Sequence, residues 1–179
     1  NGLVAFTYGT DGEQPCLVDS SSGTDRISCK LHLVVGTPDD LQEIALPNDL
    51  ENQRPTAVGL EFNTAGDLLV GLPASGRNPL LGIVRNGVFT SLVERQAEFP
   101  GYGVLLSATP RSIASNGDVI FDAAFDTDGD RERDQERLLL YSNGGFQSIA
   151  QLGEPAGSKF VVDLRGIAVD DLGQVTYQI

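Results

Sequence analysis

Four glycine-punctuated segments constrain this chain more than anything else in it. They read NGLVAFTY from Asn1, AGDLLVGL from Ala65, NGDVIFDA from Asn116 and LGQVTYQI from Leu172. In each, a glycine (Gly2, Gly66, Gly117, Gly173) precedes Val4, Leu68, Val119 or Val175 by two residues, and Phe6, Val70, Phe121 or Tyr177 follows two beyond. Apolar residues at period two mark a half-buried strand, and glycine supplies the turn that enters it. Phe62, Ile113 and Val169 stand four residues before the last three glycines. Those copies therefore predict a strand, a tight turn and a returning strand.

A second landmark turns the pattern into a repeat. Asn86-Gly87-Val88-Phe89-Thr90-Ser91-Leu92-Val93 and Gly144-Gly145-Phe146-Gln147-Ser148-Ile149-Ala150 share Phe-x-Ser-aliphatic-aliphatic after a turn. The interval from Phe89 to Gly117 nearly equals that from Phe146 to Gly173, whereas Gly117 to Phe146 is longer than Gly66 to Phe89. Constant core spacing with the extra length in one loop is how structural repeats vary. The predicted unit has four strands, at 57–62, 66–72, 80–85 and 88–94, then at 110–115, 117–125, 137–142 and 146–152. The expected fold is all-β, one repeat domain over 1–179 with repeats at about 1–64, 65–115 and 116–171 and a terminal strand at 172–179. Four-stranded antiparallel units of this size are β-propeller blades on repeat arithmetic. The count is about three blades plus a half, below the four to eight typical of a closed ring. Either the chain is a piece of a longer polypeptide, or another copy completes the ring through open β-edges. Pro38-Asp39-Asp40-Leu41-Gln42-Glu43-Ile44 is expected to form one short helical turn.

NGDVIF and LGQVTY, with LLLYSNGGF at 138–146 and IAQLGEPAG at 149–157, resemble a family of bacterial exported repeat proteins. In that family N-x-x-G-x-V-x-F strands alternate with proline- and glycine-containing turns. Residues 110–179 carry the resemblance best, 57–109 moderately, and 1–56 only through the opening strand. It implies propeller-like β-structure and export, and no activity.

Twenty-five acidic and 12 basic residues give a net charge of −13. That sign argues against nucleic acid and anionic membranes as partners. No apolar run approaches the ~18 residues of a membrane-spanning helix, so no membrane insertion is expected. The chain opens inside a strand-like segment with no basic, apolar leader, so an export signal is expected to have been removed or to lie outside it. Cys16 and Cys29 flank a turn-rich stretch in which Val18 and Ile27 would face each other across a hairpin. That places the two sulfurs on facing strands, where a disulfide is feasible in an oxidising compartment; the alternative is two buried thiols. Location is thus expected to be secreted, extracellular or on the cell surface.

The longer loop holds the one constellation with chemistry. Asp126, Asp128, Asp130 and Asp134 occupy relative positions 1, 3, 5 and 9, a spacing that aims hard oxygens at one centre, as Ca²⁺ requires. The loop resembles the D-x-D-x-D-G-x-x-D calcium loops of integrin-type propellers. In the binding reading the four aspartates give side-chain oxygens and Glu132 its backbone carbonyl. Position 6 is Arg131 and position 12 is Arg137 rather than the glycine and glutamate of an EF-hand. The bland alternative is a solvated hairpin tip, with Arg131 and Arg133 offsetting the acids.

Little points to catalysis. His32, the single histidine, lies in LHLVV and reads as a surface or edge strand residue. No G-x-S-x-G elbow, phosphate loop or G-x-G-x-x-G is present. Glu61, Asp67 and Asp118 stand near the hairpin glycines, where they would line an axial channel or be solvated turn residues. Tryptophan is absent and the tyrosines are Tyr8, Tyr102, Tyr141 and Tyr177, which disfavours sugar stacking. The expected function is a non-enzymatic extracellular structural or adhesive module that self-associates through β-edges, stabilised by Ca²⁺ and a disulfide. The alternatives are a monomeric module binding an extracellular protein or glycan, and a hydrolase.

Overall fold

The computed structural model describes residues 2–11, 14–15, 30–47, 59–72, 79–156, 159–160 and 165–178, and among these the fold is all-β without a helix. The first sheet contains β1 (Val4–Asp11), β2 (Gln14–Pro15), β3 (Lys30–Thr37) and β4 (Asp40–Ile44), in the order β2-β1-β3-β4. The second runs β5 (Gly59–Phe62), β6 (Leu68–Gly71), β7 (Pro79–Arg85) and β8 (Val88–Glu94) in chain order. The third joins β9 (Glu98–Phe99), β10 (Gly103–Ile113), β11 (Val119–Asp126), β12 (Gln135–Ser142) and β13 (Gly145–Gln151), also in sequence. Two short pairs follow, β14 (Pro155–Ala156) with β15 (Lys159–Phe160) and β16 (Arg165–Val169) with β17 (Val175–Gln178). Every pairing is antiparallel.

The predicted hairpins are present as β5–β6, β10–β11 and β16–β17, each turning at its glycine. Two expectations need correction. The third sheet has five strands, because Glu98–Phe99 adds to the edge of β10. Asp40–Ile44 is a strand, not a helical turn. There Leu41 pairs with Gly36 and Ile44 with Leu33, which buries Ile44. A single helical turn offers few hydrogen bonds for the residues it orders, whereas β3 offers a ladder and an apolar neighbour.

Alternation along the strands gives each sheet two faces, and three apolar clusters join successive sheets. Ala5, Leu31, Leu33, Val35 and Ile44 of the first sheet meet Leu68, Val70, Leu72 and Val84 of the second. Leu69, Leu81 and Val93 on the second sheet's other face meet Val119, Phe121, Ala123 and Phe125 of the third. Ile120, Leu138, Leu140 and Ala150 then meet Ile167, Val169 and Val175. Close approach between the second and third sheets requires glycine at two facing positions. A Cβ on Gly59 or Gly71 would lie 2.7 Å from the Pro110 ring of β10.

Candidate functional site

The hairpin turns at Gly66, Gly117 and Gly173 share one backbone geometry. Asn63, Ala114 and Asp170 each donate N–H to the carbonyl four residues on, and their own carbonyls accept the N–H of Gly66, Gly117 and Gly173. The glycines have φ of 91°, 91° and 74°, a left-handed region that side chains with a Cβ resist. Side chains then link the turns to one another. Asn63 Nδ2 donates to the Ala114 carbonyl at 2.9 Å, and the Thr64 and Ser115 hydroxyls are hydrogen-bonded. In the next step Ser115 N–H donates to Asp171 Oδ1 at 2.7 Å and Asn116 Nδ2 to the Asp171 carbonyl at 3.4 Å. Three turns from three sheets are thereby tied in series.

The residue after each glycine decides the polarity of the seam. Asp67 is buried, and Arg85, opposite it across β6–β7, holds its carboxylate through Nε at 3.0 Å and Nη2 at 2.6 Å. This hydrogen bonding, aided by Asn63, lowers the Asp67 carboxyl below its ordinary value of 3.8 against the opposing effect of burial. Asp118 is the equivalent residue in the third sheet and is as buried. Its counterpart across β11–β12 is Ser142, in register with Arg85 because Val84 pairs with Leu68 as Tyr141 pairs with Val119. Among the described residues Asp118 accepts a side-chain hydrogen bond only from Asn116 Nδ2, at 2.9 Å. An open cleft of about 850 Å³ adjoins both pairs, lined by Arg85, Asn116, Asp118, Tyr141, Ser142 and Asp171 among others. Asp67 and Asp118 are therefore buried groups, not the solvated turn residues their position after glycine suggests; Glu61 alone of that trio is exposed.

The aspartate loop brings together part of its expected set. One carboxylate oxygen each from Asp126, Asp128 and Asp130 lies within 4.8 Å of the others. Asp126 is buried at the end of β11 and accepts N–H groups from Gly129 at 2.6 Å, Asp128 at 3.2 Å and Arg131 at 3.0 Å. Asp128 Oδ1 accepts from Asp130 N–H, and Asp130 Oδ1 from Glu132 N–H. Arg131, at position 6 of the loop, takes φ 69°, so the left-handed turn forms there although the residue is not glycine. Asp134 stands outside the trio. Its Oδ2 accepts the N–H and hydroxyl of Thr127, which lowers its pKa below 3.8. Backbone N–H dipoles thus offset much of the carboxylate repulsion that crowding implies.

His32 is not the edge residue its leucine flanks suggest. It lies on β3, an inner strand, with its ring stacked on Tyr8 at 4.7 Å and 7°. Nδ1 is 2.7 Å from Glu43 Oε1 and Nε2 is 2.9 Å from Thr10 Oγ1. A carboxylate only accepts, so Nδ1–H donates to Glu43 and Nε2 accepts the Thr10 hydroxyl in the neutral ring. The order hydroxyl, imidazole, carboxylate is that of a hydrolytic relay, yet the three groups line neither the cleft beside Asp118 nor the one between the first and second sheets. Sequence spacing could not reveal this contact, since it joins three strands through their register. The same face carries Val4, Phe6, Tyr8 and Leu41, 38–46% exposed, around the buried Val34.

Cys16 and Cys29 lie outside the described residues. No family model matches the chain, no curated protein matches its sequence and no solved structure matches its fold.

Proposed function

We propose that this chain is a non-enzymatic, exported structural or adhesive module whose sheets are blades fanned around an axis, and that it associates with a second copy through its first sheet. One observation carries the reading. Val4, Phe6 and Tyr8 occupy the strand positions of Leu68, Val70 and Leu72 in the second sheet and of Val119, Phe121 and Ala123 in the third. In the later sheets these side chains are buried against the preceding sheet. In the first they are exposed, with Phe6 at 43% where Val70 and Phe121 are at 0%. Among the described residues the same strand also has an open edge, because β2 pairs with only Thr10 and Asp11 of β1. An apolar face and unpaired backbone groups together suit the addition of another sheet.

Calcium is part of the same proposal. Asp126, Asp128 and Asp130, with the Glu132 carbonyl and Asp134 completing the set, would hold Ca²⁺ and stiffen the β11–β12 connection. The Cys16–Cys29 bridge would do the same for the first repeat.

Sedimentation velocity over a concentration series tests association. A concentration-dependent shift that Phe6→Asp removes is expected, and a monomer throughout overturns the proposal. For calcium, calorimetric titration into chelator-treated protein is expected to give heat that Asp128→Asn diminishes; no heat and no rise in melting temperature would end the metal reading.

A further inference from the structure

The repeat supplies a comparison that the chain's own chemistry leaves unbalanced. In the second sheet a buried carboxylate, Asp67, is matched by the forked guanidinium of Arg85 reaching across from the next strand. In the third sheet Asp118 is equally buried, at 8% exposure, and Ser142 stands where Arg85 would be. The flanking framework is otherwise the same. Asn86-Gly87 and Asn143-Gly144 follow as equivalent turns, with φ of 51° and 76° against 52° and 79°. Replacing a long side chain by serine leaves room in front of the carboxylate, and that room belongs to the cleft of about 850 Å³ between the seams.

A buried carboxylate is costly unless a cation or several hydrogen bonds meet it. Asp118 has the Asn116 amide, and among the described residues no Lys or Arg lies within ion-pair distance of it. The cleft adds further acceptors, the Ser142 hydroxyl, the Asn143 side chain and the exposed carboxylate of Asp171, whose Oδ1 already caps Ser115 N–H. A planar cation with N–H groups along its edge suits this lining, since it can fork onto the carboxylate and donate to the neighbouring oxygens. Ammonium would satisfy the charge but not the fork.

We propose that the cleft beside Asp118 is a binding subsite for a guanidinium group delivered from outside the chain, in the place that Arg85 fills within the preceding repeat. The inference is independent of the self-association reading, since it uses the opposite part of the stack from the open face of the first sheet. The guanidinium has two sources, a small arginine-like molecule or an arginine side chain on a peptide.

The test is titration of the full chain with L-arginine, its uncharged isostere L-citrulline, and an end-blocked tripeptide with central arginine. Calorimetry and the amide signals of Asn116 to Asp118 serve as readouts. Arginine or the tripeptide is expected to bind at least about tenfold more tightly than citrulline, and Asp118→Asn to remove that difference. The stronger of the two guanidinium probes identifies the source. Ser142→Arg is a second variant that does not depend on tolerance of a change at Asp118. It is expected to block both probes and to raise the melting temperature, as an internal guanidinium fills the slot. Equal affinity for arginine and citrulline, no binding of either guanidinium probe, or undiminished binding in Ser142→Arg overturns the proposal.

Discussion

The first and second sheets present the same strand positions to opposite fates. Leu68, Val70 and Leu72 vanish beneath Leu31, Leu33 and Ile44, while Val4, Phe6 and Tyr8 face outward beside Leu41. Position within the repeat therefore dictates apolar character, but stacking alone dictates burial. An aromatic strand face that keeps its core-like composition while staying exposed is, on the proposed reading, where another sheet would add. The two sheets differ at the seam as well. Leu3 and Thr37 take the places of Asp67 and Arg85, so no ion pair forms between those two positions in the first sheet.

The contrast is broken most directly by truncating the same position in two sheets. Phe121→Ala removes a fully buried ring packed edge-on against Phe146, and a loss of about 3–5 kcal/mol in denaturant unfolding is expected. Phe6→Ala is expected to change stability by about 0.5 kcal/mol at low protein concentration. Comparable losses at both positions would mean that the first sheet's face is covered after all. Next in size is Arg85→Ala, which leaves the buried Asp67 carboxylate with Asn63 alone and is expected to cost about 1–3 kcal/mol near neutral pH.

That effect has a pH dependence with a definite sign. The folded-state pKa of Asp67 is depressed below 3.8, so its contribution is present above 3.8 and fades as pH falls from there through the lowered value. The gap between the parent chain and Arg85→Ala should narrow over that acidic window in urea unfolding. No such narrowing is expected for Leu3→Ala, which tests the seam difference between the sheets. Asn63→Ala, which removes the hydrogen bond to the Ala114 carbonyl and those to Asp67, should cost about 0.5–1.5 kcal/mol by thermal unfolding.

The hairpins were readable because glycine and a period-two apolar pattern act over a few residues. Seven of the strands expected in the second and third units lie within a few residues of their predicted bounds, but β10 begins at Gly103 rather than 110, since its early residues pair with the far end of β11. Glu98–Phe99 was invisible: two residues carry no period, and the pairing depends on β10 being there. In the sequence alone Asp67 and Asp118 read as channel-lining groups or as wet turns, since aspartate is common after glycine in both. Their burial comes from the neighbouring sheet, which no local pattern reports. One signal could have helped. Aligning the hairpins on Asn86-Gly87 and Asn143-Gly144 places Arg85 and Ser142 opposite the two aspartates. The aspartate loop was half legible, since spacing foretold the trio but not that Asp134 would turn to Thr127.

The linked turns at residues 63–67, 114–118 and 170–174 sit at one end of their strands, whereas the loop between Asp126 and Asp134 springs from the other. Spacing between neighbours is thus fastened where the chain is most uniform, and length varies at the opposite end. A foreign peptide spliced in at that far end would inherit a rigid mount without disturbing it.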